Sequence, residues 1–219
     1  MANESALYDE PFAKRFQFIA SNLSLDFCNL VGGKREGIRR ENLHSYPHFV
    51  SWCEQAGLLN QGQVQDLYRQ FIEAPDRGAA VLARALALRE ANYRIFFAVA
   101  GGDQPSGVDI DVLNSELALS LGRLRIGPSS EIRAFSWNWA DAPIELDHGL
   151  GPIAYSAAGL LASGQQLTRV RQCQGDNCGW LFLDLSKNHS RCWCDMRDCG
   201  NRAKVRRHRR KLRDAGSAQ

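Results

Sequence analysis

Residues 173–211, CQGDNCGWLFLDLSKNHSRCWCDMRDCGNRAKVRRHRRK, decide the fold of the C-terminal part of this chain. Cys173 and Cys178 form one Cys-x4-Cys pair, and Cys194 and Cys199 form a second pair fifteen residues further on. Two cysteine pairs at this separation are typical of a tetrahedral site in which four thiolates bind one zinc ion. Because four thiolates leave no open coordination position for water, we expect one structural Zn²⁺ rather than a catalytic one.

Three other side chains offer alternatives for this site. Cys192 stands two residues before Cys194, and the two would point to the same face of an extended strand. The x4 spacing to Cys199 favours Cys194, which leaves Cys192 as a spare thiol close to the metal. His189 and His208 could each replace a cysteine, although their spacing is less regular.

The residues between and after the cysteine pairs predict a hairpin and a basic helix. Residues 180–185 and 191–193 read as two strands that pair with each other around a polar turn. Residues 195–213 predict a helix whose hairpin-facing stripe is formed by Asn201, Val205, His208 and Leu212. The cations on the rest of this helix are expected to contact nucleic-acid phosphates. These cations are Arg202, Lys204, Arg206, Arg207, Arg209, Arg210, Lys211 and Arg213.

The charge of the chain is divided unevenly. Residues 171–219 carry twelve Lys or Arg against five Asp or Glu, a local charge of +7. Residues 1–170 carry a charge of −4, which gives the whole chain its net +3. A near-neutral body with a basic tail is typical of proteins that bind a polyanion. A basic end that is simply solvated is the alternative.

The upstream residues predict a helical body. Apolar residues recur with helical spacing in residues 45–59, 61–74, 76–100, 108–121 and 152–163. Residues 124–126 and 132–139 predict a small β-hairpin, and residues 32–41, GGKREGIRRE, a polar loop. The expected fold class is mainly α with a small β-hairpin (α+β). A helical N-terminal domain, residues 1–166, is followed by a four-cysteine zinc finger with a hairpin and a basic helix, residues 167–219.

Several features predict a soluble, cytoplasmic protein without a membrane partner. No apolar run approaches the ~18 residues of a membrane span. The N-terminus is acidic where a signal peptide would be basic and then apolar. In the absence of an export signal, seven cysteines favour metal binding over a disulfide framework. Cys28 and Cys53 lie in apolar contexts and are expected in the core.

Three polar residues beside apolar segments, Asp26, Asn29 and Arg89, could converge on a pocket for a small ligand. In the alternative interpretation, Asp26 and Asn29 cap a helix and Arg89 with Glu90 makes structural ion pairs. The sequence shows no Ser/His/Asp order, no phosphate-loop glycine pattern and no HExxH motif. We therefore expect no enzymatic activity.

The quartet CGNR at residues 199–202 ends a stretch that closely resembles the CGNR-type zinc finger. The resemblance includes a Phe-x-Asp-x-Ser run, here Phe182, Asp184 and Ser186. Cys192 stands where the family usually has arginine, so part of the family's basic surface is missing here. In the family pattern, the cysteines that pair are those at positions 173, 178, 194 and 199 of this chain.

Such fingers typically follow an ABATE domain, which is described as a stress-induced transcription regulator. LSLDFCNL at residues 23–30 resembles the Leu-Asp-x-x-Asn signature of that domain, with Leu30 in place of the common threonine. ALALREANYRIF at residues 85–96 resembles its Leu-Arg-Glu-Ala helix. The resemblance implies an ABATE-like body followed by a CGNR finger.

Together these features predict a transcription regulator that binds DNA through a zinc-anchored basic helix. Its N-terminal domain would sense a stress signal or a small-molecule effector. A homodimer would suit a regulator that reads a palindromic site, although no heptad pattern marks an interface. The alternative is a zinc-stabilised protein- or RNA-interaction module without sequence-specific DNA binding.

Overall fold

Helices account for most of the fold in the computed structural model. The structure describes residues 15–37, 39–128, 134–139 and 143–216, but not the side chains of residues 211, 212 and 214–216. The helices are α1 (Leu23–Cys28), α2 (Tyr46–Gln55), α3 (Gln61–Glu73), α4 (Pro75–Gly101), α5 (Gly107–Ser120), α6 (Leu150–Ala162), α7 (Gly164–Leu167) and α8 (Asn201–Gly216). The strands are β1 (Val31–Gly32), β2 (Arg40–Glu41), β3 (Leu124–Pro128), β4 (Phe135–Trp139), β5 (Val170–Gln172) and β6 (Leu181–Leu183). Consecutive strands pair antiparallel as β1–β2, β3–β4 and β5–β6. The predicted α+β fold class is confirmed.

The helix starts follow local capping chemistry. The Ser45 hydroxyl accepts a hydrogen bond from the His48 N–H and starts α2. Asn60 and Gln63 exchange side-chain to backbone hydrogen bonds in a capping box that starts α3. Because such caps satisfy the free N–H groups of a first turn, the helix boundaries lie close to the predicted ones.

Helix α4 is the centre of the body. Its buried residues point in several directions around its axis and include Val81, Leu88 and Phe96. A helix that is apolar on most faces must be surrounded. Accordingly, α1, α2, α3, α5 and α6 all contact α4, and so does β5 of the C-terminal part.

The C-terminal finger shares its hydrophobic core with the body. Val170, Leu181 and Phe182 of the finger are buried in one cluster with Leu25 and Leu88 of the body. Strand β6 lies against α1, and both strands of the finger contact α4. The domain boundary at residue 166 stays a prediction, but the packing couples the two parts physically.

The hairpin of the finger has a different second strand from the predicted one. Strand β6 pairs with β5, and residues 191–193 form no strand. This return segment makes its hydrogen bonds elsewhere. The Gln174 N–H donates to the Cys192 carbonyl (2.9 Å), and the Arg191 N–H donates to the buried carboxylate of Asp184 (3.0 Å).

The face of α8 that contacts the finger also differs from the predicted stripe. Asn201 and His208 are exposed, and the Val205 side chain is half exposed. The side chain of Leu212 lies outside the described residues. Ala203 is buried instead, because α8 begins directly after the turn that carries Cys199 and its first turn contacts the finger.

Within the described ranges, no helix combines the length and the apolar composition that a membrane span requires.

Candidate metal centre and nucleic-acid interface

The structure brings Cys173, Cys178, Cys194 and Cys199 together, with their Sγ atoms all within 4.8 Å of one another. The Sγ atom of Cys194 lies 3.6 Å from that of Cys178 and 3.7 Å from that of Cys199. A tetrahedral site with Zn–S bonds of ~2.3 Å has S–S edges of ~3.8 Å. The spacing of the four sulfur atoms therefore fits one zinc ion.

Backbone turns place the two sulfur atoms of the first pair. Cys173 follows β5, and its N–H donates to the Trp180 carbonyl (2.8 Å), while the Cys178 N–H donates to the Gly175 carbonyl (3.0 Å). A Cβ at Gly175 would lie 3.1 Å from the Cys199 sulfur. A side chain at this turn would therefore crowd the metal site.

The second pair is held by a short helical turn. Met196–Gly200 forms a π-helical turn, and the Asp195 carboxylate caps it by accepting from the Arg197 N–H (2.8 Å). The Gly200 N–H donates back to the Asp195 carbonyl (3.0 Å). This turn carries Cys199 and leads directly into α8, so the metal site fixes the start of the basic helix.

Hydrogen-bond donors point at two of the sulfur atoms. The N–H groups of Gly175 and Cys194 lie 3.4 and 3.3 Å from the Cys173 Sγ, and the Arg202 guanidinium lies 3.4 Å from the Cys199 Sγ. Hydrogen bonds from the neighbouring thiols, together with these N–H groups, lower the pKa of the Cys173 thiol. Such donors stabilise the thiolate form that binds a metal.

The four cysteines are buried. None of the four cysteines is more than 9% exposed. Four buried sulfur ligands leave no described position for a zinc-bound water, which is the arrangement of a structural zinc site.

The alternative ligands lie outside this cluster. The Cys192 thiol is partly exposed and lies 3.3 Å from the Ser190 carbonyl. His189 is exposed in the turn after β6 with a positive φ of 49°, and His208 is exposed on α8. None of these three side chains belongs to the four-sulfur group.

A buried carboxylate organises the loop that returns to the second pair. Asp184 accepts hydrogen bonds from the Ser186 N–H (2.9 Å) and hydroxyl (2.6 Å), and from the Arg191 N–H (3.0 Å). Burial alone would raise the pKa of Asp184, but these hydrogen bonds hold it below its usual value. The Arg191 guanidinium stacks 4.3 Å from the Phe182 ring centre. The Phe-x-Asp-x-Ser run thus shapes the loop between the two cysteine pairs.

The cations predicted to contact phosphates divide into two groups. Arg202 pairs with Asp198 (2.9 Å), and Arg206 pairs with Asp176, so the charge of each is balanced within the finger. The second group is exposed on α8 and has no described hydrogen-bond or ion-pair partner; its members are Lys204, Arg207, Arg209 and Arg210. Arg213 is also exposed. The Lys211 side chain lies outside the described residues.

The three residues predicted to form a ligand pocket have separate partners. Asp26 accepts from the N–H groups of Ile19 and Ala20, both at 2.9 Å. Burial raises its pKa to about 6, although these bonds and the charge of Arg191 act in the opposite direction. Asn29 follows α1 and bonds across to the finger.

Arg89, the third of these residues, lies among acidic side chains of the body. Its guanidinium binds the carboxylate of Glu41 through two bonds (2.7 and 2.8 Å) and that of Glu90 at 2.9 Å. This ion-pair role, like the helix-end position of Asn29, agrees with the alternative interpretation of the sequence.

A seam of hydrogen bonds joins the body to the finger. The Asn29 amide donates to the Leu181 carbonyl (2.8 Å) and accepts from the Leu181 N–H (2.9 Å). The Leu183 N–H donates to the Ala20 carbonyl (2.8 Å). The Trp180 indole N–H donates to the Val31 carbonyl (3.1 Å). Sequence reasoning missed this seam, because a side-chain amide that replaces a strand partner leaves no periodic signal.

Two family models match the chain. The model of the CGNR zinc finger matches residues 169–211. The ABATE model, described as "Putative stress-induced transcription regulator", matches residues 21–164. No curated protein matches the sequence. The two matches confirm the predicted architecture, and with the four-cysteine cluster they confirm the prediction of one structural zinc ion.

Proposed function

Because the chain belongs to the ABATE family and carries a CGNR zinc finger, we propose that it is a transcription regulator that binds duplex DNA through the zinc-anchored helix α8. The exposed charge of α8 is the observation that carries this proposal. Lys204, Arg207, Arg209 and Arg210 are exposed without a described partner. Like charges three or four positions apart destabilise a helix. A row of phosphates removes this repulsion and gains from counterion release.

The zinc site supplies the anchor for this contact. Four buried cysteines and the Met196–Gly200 turn fix the first turn of α8, in which Ala203 packs on the finger. The exposed cations follow within two further turns of the helix. An anchored helix presents its cations in a fixed geometry, which lowers the entropy lost on binding.

We infer a non-enzymatic role for the zinc ion. Catalytic zinc sites keep an open position for water or substrate, whereas this cluster has four buried sulfur ligands. The predictions of a small-molecule effector and of a homodimer stay predictions. Asp26, Asn29 and Arg89 already bond to other groups of the chain.

The test is a salt titration of DNA binding with a variant of α8. The variant Arg207→Gln, Arg209→Gln, Arg210→Gln keeps the helix propensity and removes three charges. If each arginine contacts one phosphate, the slope of log K against log salt falls by ~2.7. The control carries Arg→Gln at two exposed body positions whose acidic partners are also exposed, namely Arg69 and Arg77.

The outcomes separate the two candidate functions. A reduced slope for the α8 variant, with the control equal to the wild type, supports binding through α8. An unchanged slope removes α8 from the interface. Equal binding to RNA and to every DNA sequence would favour the alternative, an interaction module without sequence-specific DNA recognition.

A further inference from the structure

The cations of the body are unevenly neutralised. On the body helices and on the short turn before β3, arginine side chains pair with acidic side chains; they are Arg69, Arg77, Arg84, Arg89, Arg94 and Arg123. Four other cations of the body are exposed and have no hydrogen-bond or ion-pair partner in the described part of the chain. They are Arg15, Lys34, Arg39 and Arg40. Three of these four, Lys34, Arg39 and Arg40, lie in the connection between β1 and β2 or at the first residue of β2; the described residues 33–37, 39 and 40 are called the basic tip below.

The basic tip is fixed next to the finger. A Cβ placed on Gly179 of the finger would lie 2.8 Å from the Gly33 carbonyl oxygen and 3.2 Å from the Lys34 Cα. The Trp180 indole also bonds to the β1 backbone (3.1 Å). Backbone therefore meets backbone here, so the tip is held at a fixed position relative to the zinc site. The Arg40 side chain lies over Gly32, which holds its stem along the hairpin.

Three surface cavities that share lining residues, together called the furrow below, lie between Arg40 of the basic tip and the start of α8. Arg40 and Arg202 line its central part, Arg206 lines one end, and Arg15 lines the other. The acidic residues of the furrow are already engaged by the finger. Asp198 pairs with Arg202, Asp176 pairs with Arg206, and Asp195 caps the turn before α8. Arg15 and Arg40 are thus the cations of this furrow whose charge is not balanced by a described partner.

We propose that the basic tip, together with Arg15, is a second contact for the phosphate backbone of the DNA that binds α8. The nucleic acid would cross the seam between finger and body rather than touch the finger alone. This inference rests on the proposed function, because it concerns the same ligand. The position supports it: the basic tip, whose cations have no described partner, contacts the finger, whereas the cations of the body helices are paired and Arg125 bonds to two backbone carbonyls. Exposed like charges gathered in one short segment repel each other, and a bound anion removes that repulsion.

The variant Arg39→Gln, Arg40→Gln tests the proposal in the intact, zinc-loaded protein. Glutamine keeps the Cβ and Cγ methylene groups of arginine and removes the charge. Both side chains are exposed, so we expect the unfolding midpoint in urea to stay that of the wild type. The matched control is Arg69→Gln, Arg77→Gln, which removes two exposed arginines that each have an acidic partner.

Binding of a fluorescent DNA duplex is measured over a salt series for wild type, both of these variants and the α8 variant. If both arginines contact phosphates, the slope of log K against log salt falls by ~1.8, and affinity at 0.1 M salt falls about 60-fold. The control should keep the wild-type slope.

The results separate failure of this inference from failure of the proposed function. A wild-type slope in the Arg39, Arg40 variant, with a reduced slope in the α8 variant, overturns the second contact and leaves the function of α8 intact. A reduced slope in the Arg39, Arg40 variant with an unchanged α8 variant would refute the role of α8 and support the basic tip. If the wild type shows no salt-dependent DNA binding, both are overturned.

Discussion

The seam between body and finger gives the sharpest prediction about stability. Replacing Asn29 by alanine removes both hydrogen bonds that its amide makes with Leu181. Asn29 is 4% exposed and Leu181 is fully buried, so water does not easily replace the lost partner. The Leu181 N–H and carbonyl would both be left unsatisfied in the core.

The structure sets the expected magnitude of this change. A buried donor or acceptor without a partner costs about 1–3 kcal/mol, so the pair of groups on Leu181 costs about 4 kcal/mol. The total stability of a domain is only about 5–15 kcal/mol. The Asn29→Ala variant should therefore lose a large part of its free energy of unfolding. Because the seam also holds strand β6 beside the zinc ligands, zinc should pass more readily to a competing chelator.

The assay is unfolding in urea, monitored by tryptophan fluorescence, in the presence of one equivalent of zinc. The matched control is Asn114→Ala, since Asn114 is exposed on α5 and has no described side-chain partner; this change should stay within about 0.5 kcal/mol of the wild type. A loss of unfolding free energy below about 1 kcal/mol for Asn29→Ala, with unchanged zinc release, would refute the role of the Asn29–Leu181 hydrogen bonds in joining body and finger.

Three other changes test the site and the seam. Burial raises the pKa of Asp26 from its ordinary 3.8 to about 6, so between these values the native form binds more protons and stability falls as pH rises through 6. Asp26→Asn should remove this loss, about 1.4 kcal/mol between pH 5 and pH 7.5, measured as the change in the wild-type minus variant difference in unfolding free energy; a pH-independent difference would contradict the buried carboxylate. Cys173→Ser should abolish binding of the single zinc ion and also lower the urea midpoint of the body, because finger and body share one core. If metal analysis finds that the variant retains one zinc per chain, Cys173 is not a zinc ligand. Gly179→Ala should lower the free energy of unfolding by about 1–3 kcal/mol, because the new methyl group meets the backbone of the basic tip. Gly159→Ala, at a helical site with open space, should raise it by up to about 1 kcal/mol. If both variants change the free energy of unfolding in the same direction, the close contact at Gly179 is refuted.

The parts of the fold that depend on neighbouring residues could be predicted from the sequence. The two x4 spacings indicated the zinc ligands, because each cysteine pair is brought together by a local turn. The helical spacing of apolar residues likewise indicated α2 and α3, whose starts are capped by Ser45 and Asn60 in the structure. In the same way, the apolar contexts of Cys28 and Cys53 indicated burial, and both are in the core.

The remaining features depend on partners far apart in the chain. Strand β5 has only three residues, and its pairing with β6 continues into the turn through the Cys173 N–H and the Trp180 carbonyl. The sequence predicted that Arg206 contacts phosphate, whereas in the structure it pairs with Asp176, thirty residues earlier in the chain. Asn29 looks like a helix end in the sequence, yet its amide bonds a strand of the finger. Periodicity and local spacing carry no information about such contacts.

The most direct test of the zinc-anchored interface is duplex-DNA binding by the intact protein over a salt series, first zinc-loaded and then treated with a chelator. Because the four cysteines fix the start of α8, we predict tight, steeply salt-dependent binding that is lost when zinc is removed and restored when zinc is returned. Binding with the same affinity and the same salt slope in both states, or no binding by protein shown to hold one zinc, would contradict this account.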